Sequence, residues 1–419
     1  MPKVRTALVS TLGVLLSPTA LAQCDYGDWE CFDMYPVADV PVRFGTTHDD
    51  DVPSPLLIYL HSFGPYGGSG ENEEDSWLRL WPSGTDEFGS YIGLQDRAVA
   101  GPNGEETGWI YALPDGALDP TNPCSAAEGF RYWNANDSCC AYNYMRGSYT
   151  EISGDAPDHA TYLNDLIDHL VNHSDFKVDP DRIYFFGYSN GGYMAHRMAC
   201  QNGDVGYYAP AEAHEIAAVG SYAGVNYFNP LDCYATEPTN VLHVHDIGDQ
   251  VVLYDGGVDI NTQICWPTHP RPYAGALSTV ATWLFLLRTE GEAQSEGYVT
   301  PLDLNVAYST AQRLRWSGGR YDAIVEHWRS LFGSHEPTFS MTFRTALVDW
   351  FTERSRPGPG DGSFDDCPTD LNRDGRTDGE DLMILLSDWD EEGLGDLDAS
   401  GRVDGNDLTL ILAAWGDCG

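Results

Sequence analysis

The chain has 419 residues, with 64 aspartates and glutamates against 22 lysines and arginines, and a formal net charge of −42. A field of that sign repels nucleic acid and anionic membrane surfaces, which excludes readers of phosphate backbones; it suits calcium and neutral or polymeric substrates. The length exceeds one ordinary domain and allows a large core.

The first residues carry Lys3 and Arg5, and the apolar run Ala7 to Leu16 leads to Ala20-Leu21-Ala22. This is the pattern of a secretory signal peptide over residues 1–22 and predicts a secreted, extracellular protein. No later apolar run approaches the roughly 18 residues of a membrane span. All ten cysteines lie beyond that cleavage site, which favours disulfides. Cys24 with Cys31 and Cys367 with Cys418 are local candidates, and the other pairings stay open.

After a turn-rich lead-in, Pro55 to His61 reads as a fully buried strand that enters the glycine-rich loop Ser62 to Gly70. That loop is either a plain surface connection or the source of an oxyanion donor. Gly108 to Gly116 is a second strand with its turn. The aromatic stretch Arg131 to Cys140 either lines a cleft with Tyr132 and Trp133 or is stapled surface. Between Asp158 and Phe176, residues Tyr162, Leu163, Leu166, Ile167, Leu170 and Val171 form a helical stripe.

The stretch that organises the chain comes next. Ile183 to Phe186 is a short β-rich run, and it ends in Gly187-Tyr188-Ser189-Asn190-Gly191. Tyr193, Met194, Arg197 and Met198 then recur at helical spacing. Strand, G-x-S-x-G and helix together describe a nucleophile elbow, with a capping serine in a βα turn as the plainer alternative. Further strands are predicted at Ile216 to Tyr222, Asn240 to His245 and Arg320 to Arg329, and helices at Ala274 to Arg288 and Thr338 to Glu353. The alternation predicts an α/β fold on a mostly parallel sheet with flanking helices.

A serine nucleophile needs a histidine base, itself oriented by a carboxylate, in the chain order Ser, Asp/Glu, His. After Ser189 the acids at a strand end are Asp246 and Asp249, with Asp255 more remote, and the later histidines are His269, His327 and His335. His335 sits in a Gly-Ser-His loop before the last helix, and the spacing favours Ser189, Asp249 and His335. His243 and His245 form an H-x-H pair; without a third ligand, packing is the better reading than a metal half-site.

With these landmarks in one order (Leu60-His61, Pro114-Asp115-Gly116, Trp133-Asn134-Ala135, Cys139-Cys140, Asp179 to Ile183, Gly187 to Met194, His243-Val244-His245 and Gly333-Ser334-His335), the chain from Leu56 to about Glu353 resembles the secreted α/β-hydrolase esterases related to polyhydroxybutyrate depolymerases and feruloyl/acetylxylan esterases. The resemblance implies Ser189 as nucleophile, His335 as base and Asp249 as acid. It further implies an oxyanion hole from the N–H groups of Asn190 and Phe63, with Tyr188, Tyr132 and Trp133 around the cleft. It implies acyl transfer without a catalytic cofactor, on ester-bearing polysaccharide or, alternatively, on a polyhydroxyalkanoate. A non-catalytic polymer-binding module on the same fold is a third reading. Ser62 and Asp246 stand where the family has glycine, and Asp246 stays a rival for the acid.

Arg354 to Gly362 is rich in proline and glycine and predicts a linker over residues 354–366 between a hydrolase domain, 23–353, and a tail, 367–419. The tail is duplicated. Asp370, Asn372, Asp374, Asp378 and Asp381 surround Gly375; Asp396, Asp398, Ser400, Asp404 and Asp407 surround Gly401. Each set occupies positions 1, 3, 5, 9 and 12 of a calcium loop, and each is followed by an apolar helix. This resembles a small all-α type I dockerin. It implies two bound calcium ions and a cohesin-type scaffold or cell-surface protein as partner.

Overall fold

The computed structural model describes residues 29–32, 40–63, 70–86, 89–119, 130–136, 139, 158–172, 176–202, 215–233, 235, 237–258, 272–289, 291–319, 322–357, 369, 371, 376–387, 389, 397 and 402–417. The expected signal peptide lies outside these residues, as do Asp370, Asn372, Asp374, Asp396, Asp398, Ser400, Cys24, Cys367 and Cys418.

Ten strands form one sheet: β1 (Trp29–Phe32), β2 (Val40–Phe44), β3 (Ser54–Leu60), β4 (Ile110–Ala112), β5 (Val178–Tyr188), β6 (Ala218–Tyr222), β7 (Asn240–Asp246), β8 (Gln294–Val299), β9 (Thr310–Trp316) and β10 (Val325–Leu331). Their order across the sheet is β1-β2-β4-β3-β5-β6-β7-β10-β9-β8. The six from β4 to β10 run parallel, and an antiparallel pair closes each edge. This is a mixed, mostly parallel sheet of an α/β fold, and it is crossed by helices α1 (His159–Asn172), α2 (Asn190–Cys200), α3 (Ala276–Leu286) and α4 (Met341–Thr352).

The central strands carry consecutive buried residues, such as Leu56 to Leu60 and Ile183 to Phe186, because both their faces are covered. Leu56, Ile58, Ile183 and Phe185 join one buried cluster with Leu163 and Leu166 of α1, Met194 and Met198 of α2, and Trp283 of α3. Their neighbours Leu57, Tyr59, Tyr184 and Phe186 turn to the other face, against Phe343, Leu347, Trp350 and Phe351 of α4. Parallel strands end on the same side. The chain that leaves β3, β5, β7 and β10 therefore emerges at one edge of the sheet, where α/β folds build their sites.

Strands β8 and β9 carry little apolar signal, and no strand is expected there from sequence. Their pairing is held partly by charge: Arg313 Nε donates to Glu326 Oε1 at 3.0 Å and Arg315 Nη2 reaches Glu326 Oε2 at 3.5 Å, with Glu326 fully buried on β10. The expected linker start needs correcting. The Tyr184 hydroxyl donates to the Arg354 carbonyl, Asn240 Nδ2 to the Ser355 carbonyl at 2.9 Å, and Arg356 pairs with Asp181 and Glu215. Residues 354–356 thus pack against residues of β5 and β7 and against Glu215. Cys200 and Cys233 form a disulfide that sequence left open.

In the tail, α5 (Gly379–Ser387) and α6 (Gly405–Ala413) share a small core of Leu385, Val403 and Ile411. Arg376–Thr377 pairs antiparallel with Gly416–Asp417. Among the described residues, no helix is long and apolar enough to cross a membrane.

Candidate active site

The turn after β5 is forced by two glycines. A Cβ on Gly187 would lie 2.1 Å from the Gly191 carbonyl oxygen, and one on Gly191 would lie 1.9 Å from that of Leu60. Ser189 between them takes φ 50° and ψ −116°, a conformation that L residues avoid, and its N–H donates to the Tyr222 carbonyl at 2.8 Å. Its side chain makes no cap hydrogen bond to α2, so the plainer capping role does not describe it. The hydroxyl sits at the amino end of α2, where first-turn N–H groups lack helical acceptors.

His335 Nε2 lies 3.0 Å from Ser189 Oγ, and His335 Nδ1 lies 2.7 Å from Asp249 Oδ2. The other carboxylate oxygen, Oδ1, accepts from the N–H groups of Val251 at 2.8 Å and Val252 at 2.9 Å. Burial by itself would raise the Asp249 pKa; the bonds to His245 and His335 outweigh it and hold the carboxyl well below its usual range. The three side chains expected from sequence are therefore adjacent in the order Ser189, His335, Asp249.

The rival acid faces elsewhere. Asp246 is fully buried; its Oδ1 accepts from Gly248 N–H and its Oδ2 from Gly333 N–H, both at 2.6 Å. One carboxylate thus ties the loop bearing Asp249 to the loop bearing His335. Two tyrosines fix the second loop from below, since the Tyr188 hydroxyl donates to the His335 carbonyl at 2.9 Å and that of Tyr222 to the Ser334 carbonyl at 3.2 Å. Sequence reasoning missed these struts. The paired acids Asp246 and Asp249, with a glycine two residues before His335, were the available signal.

On the opposite side, Ser62 precedes Phe63, one of the two expected oxyanion donors. Both the N–H and the hydroxyl of Ser62 bond to the Glu73 carboxylate, which also accepts from the Tyr59 hydroxyl at 2.6 Å. Burial dominates there: it pushes Glu73 up from its ordinary value near 4.5 to about 7, against the lowering effect of those hydrogen bonds. His61 donates from Nδ1 to the Ser62 carbonyl at 2.6 Å and accepts at Nε2 from Gly116 N–H at 2.8 Å. Burial lowers its pKa to about 4, so the ring is neutral.

The expected cleft residues need revision. Trp133 is fully buried: its indole donates to the His61 carbonyl at 3.0 Å, and its backbone N–H and carbonyl bond to the Asn190 side chain at 2.6 and 2.9 Å. It is a strut between the end of β3 and the start of α2, because a large ring with one donor satisfies a buried carbonyl there. Tyr188 and Tyr132 are also buried, Tyr188 as the support of His335 and Tyr132 edge-on to His159 at 5.8 Å.

In the tail, Asp381 and Asp407 are buried at the ends of their loops. Asp381 Oδ2 accepts from Asp378 N–H at 2.7 Å; Asp407 Oδ2 accepts from Asp404 N–H at 2.8 Å and Oδ1 from Leu397 N–H at 2.8 Å. The two repeats close in the same way.

No family model matches the chain. It is similar to feruloyl esterase B of Piromyces equi, 27% identical over 253 residues, which cover 60% of this chain and 36% of that protein. The match thus spans about a third of the length of this curated relative. Among solved structures, it is similar to the acetyl xylan esterase of Aspergillus awamori, with 12% identity, a TM-score of 0.42 and coverage of 78% of this chain and 99% of that one. It is similar also to a CE1 ferulic acid esterase of Anaeromyces mucronatus, with 10% identity, a TM-score of 0.38 and coverage of 79% and 93%.

Proposed function

We propose that this chain is a serine carboxylic ester hydrolase that removes acyl groups from polysaccharide. The observation that carries the reading is the unbroken path from Ser189 Oγ through His335 to Asp249, at 3.0 and 2.7 Å. In this reading His335 Nε2 takes the Ser189 proton as Oγ attacks the ester carbonyl carbon, and Asp249 holds the ring and its developing charge. The N–H groups of Asn190 and Phe63 stabilise the oxyanion. The Nε2 proton then passes to the departing alcohol oxygen, and water repeats the sequence on the acyl-enzyme. Similarity to a protein named as a feruloyl esterase supports an acylated polysaccharide as substrate.

The tail extends the proposal. Asp370, Asn372, Asp374, Asp378 and Asp381 would hold one calcium ion, and Asp396, Asp398, Ser400, Asp404 and Asp407 a second. The donor chemistry fits, since every side chain in the two sets offers hard oxygen. In this reading the ion orders each loop against its helix, the folded module engages a cohesin-type partner, and the whole protein is secreted.

The test compares acid release from acetylated or feruloylated xylan with release from a polyhydroxybutyrate suspension, for wild type and Ser189→Ala, with calcium present. Faster release from xylan that the mutant loses is the expected result. Faster release from the polyester makes the protein a depolymerase. A chain that releases nothing and takes no fluorophosphonate label at Ser189 is a binding module instead.

A further inference from the structure

Behind Asp249, away from Ser189, four aromatic side chains continue the line of hydrogen bonds. The Trp283 indole N–H donates to His196 Nδ1 at 3.1 Å. His196 Nε2 lies 3.3 Å from His243 Nδ1, and His243 Nε2 lies 3.3 Å from His245 Nδ1. His245 Nε2 reaches the Val252 carbonyl at 2.8 Å and Asp249 Oδ2 at 3.5 Å. All four rings are fully buried. They come from three elements, Trp283 from α3, His196 from α2, and His243 and His245 from β7.

Indole nitrogen can only donate, and this fixes the order of protons along the whole line. His196 must accept at Nδ1, so its proton sits on Nε2, which faces His243 Nδ1, and the Gly224 backbone also bonds the ring. His243 then accepts at Nδ1 and donates from Nε2, and His245 does the same. The reverse order would set two N–H groups face to face at Trp283. Burial lowers His196 to about 3 and holds His243 well below its ordinary value, so neither ring takes a second proton near neutral pH. The adjacent His327 has the opposite tautomer: Nδ1 donates to the His243 carbonyl at 2.9 Å and Nε2 accepts from the Tyr254 hydroxyl at 2.9 Å.

We infer that His196, His243 and His245 are positioning residues of the acyl-transfer site: a one-way imidazole chain, set by Trp283, whose last N–H donates to the Val252 carbonyl and faces Asp249 Oδ2 beside it at 3.5 Å, and so holds the loop that aims that carboxylate at His335. The chain rests on the esterase reading for its purpose and on the hydrogen-bond geometry for its direction. Aligned dipoles in a dry core polarise one another, so the last N–H of the line is a stronger donor than a lone imidazole. The positive end of that N–H, 3.5 Å from Asp249 Oδ2, also moderates the pull of the carboxylate on the protonated form of His335.

Heteronuclear NMR of nitrogen-labelled protein tests the direction without any substrate. Protons on Nε2 of His196, His243 and His245, and on Nδ1 of His327, are expected. Three variants then test the role: His245→Leu removes the donor, His245→Gln keeps an amide N–H near Asp249, and Trp283→Phe removes only the head of the line. Thermal unfolding checks that each is folded. His245→Leu is expected to lower kcat on p-nitrophenyl acetate about tenfold at unchanged KM, with Trp283→Phe losing about threefold and His245→Gln less than His245→Leu. In His245→Leu the acid limb of kcat/KM moves to higher pH, and the low-field Nδ1 proton of His335 moves downfield. An Nδ1 proton on His243 or His245 overturns the inference, and so does a folded His245→Leu enzyme with unaltered kcat, acid limb and His335 proton. Should wild type neither hydrolyse esters nor label at Ser189, the esterase reading fails while the tautomers and the His335 proton still decide the chain.

Discussion

The loops on the two sides of Ser189 are each tied down by a polar side chain, but by opposite chemistry. On the side of the β3 end the tie is Ser62, whose N–H and hydroxyl reach out to a buried acid, Glu73. On the acid and base side the tie is itself the acid: Asp246 receives two backbone N–H groups, one from each loop it joins. A carboxylate accepting two short backbone bonds is satisfied in the core. Glu73 is pushed to about 7 because its burial outweighs the bonds it receives, so that brace titrates near neutrality. The difference teaches that a buried acid can brace a loop either as an acceptor of backbone N–H groups or as a side-chain partner whose burial raises its pKa.

The largest effect expected from breaking this comparison falls on the acids. If Asp249 is the triad acid and Asp246 a tie, Asp249→Asn lowers kcat by about 10⁴-fold, as loss of the orienting carboxylate does in other triads. Asp246→Asn should lower stability by about 1–3 kcal/mol, because an amide can accept from only one of the two N–H groups, and should lower kcat far less than Asp249→Asn. Steady-state kinetics with chemical denaturation separates the two, and equal losses of kcat would reinstate Asp246 as an acid.

Next comes the turn that both sides share. Gly191→Ala places a Cβ against the Leu60 carbonyl oxygen at 1.9 Å, with backbone on both sides, so the protein should unfold or lose more than about 3 kcal/mol. The melting temperature reads this directly, and an alanine variant of wild-type stability would mean that the β3 end yields.

The smaller effect sharpens the pH side. Glu73 has a folded pKa near 7 against an ordinary 4.5, so its contribution to stability is fully present below about 4.5 and is lost as pH rises through about 7. Between those values wild type should lose roughly 3 kcal/mol relative to Glu73→Gln, whose amide can still bond Ser62 and Tyr59. Unfolding free energies measured at both ends of that window test it; parallel curves for the two proteins would remove the titrating brace. Ser62→Gly should shift the same curve in a lesser degree, since it deletes the hydroxyl bond and keeps the N–H.

Much of this was legible in the chain itself. Short apolar runs mark β3 and β5, because strands buried on both faces do not alternate. The elbow reads from Gly187 to Gly191, because only glycine lets the backbone approach Leu60 so closely. The order of Ser189, Asp249 and His335 reads from loop positions. Beyond that, local pattern is silent, since burial and hydrogen-bond partners are properties of packing. Trp133 looks like a cleft aromatic until its indole is found on the His61 carbonyl, and β8 and β9 look like loops until Arg313 and Arg315 meet Glu326 across the sheet. His243 and His245 read as a pair on a strand. Only the folding of α2 and α3 over that strand brings His196 and Trp283 into line with them, because residues remote in sequence share hydrogen bonds only where the fold brings them together.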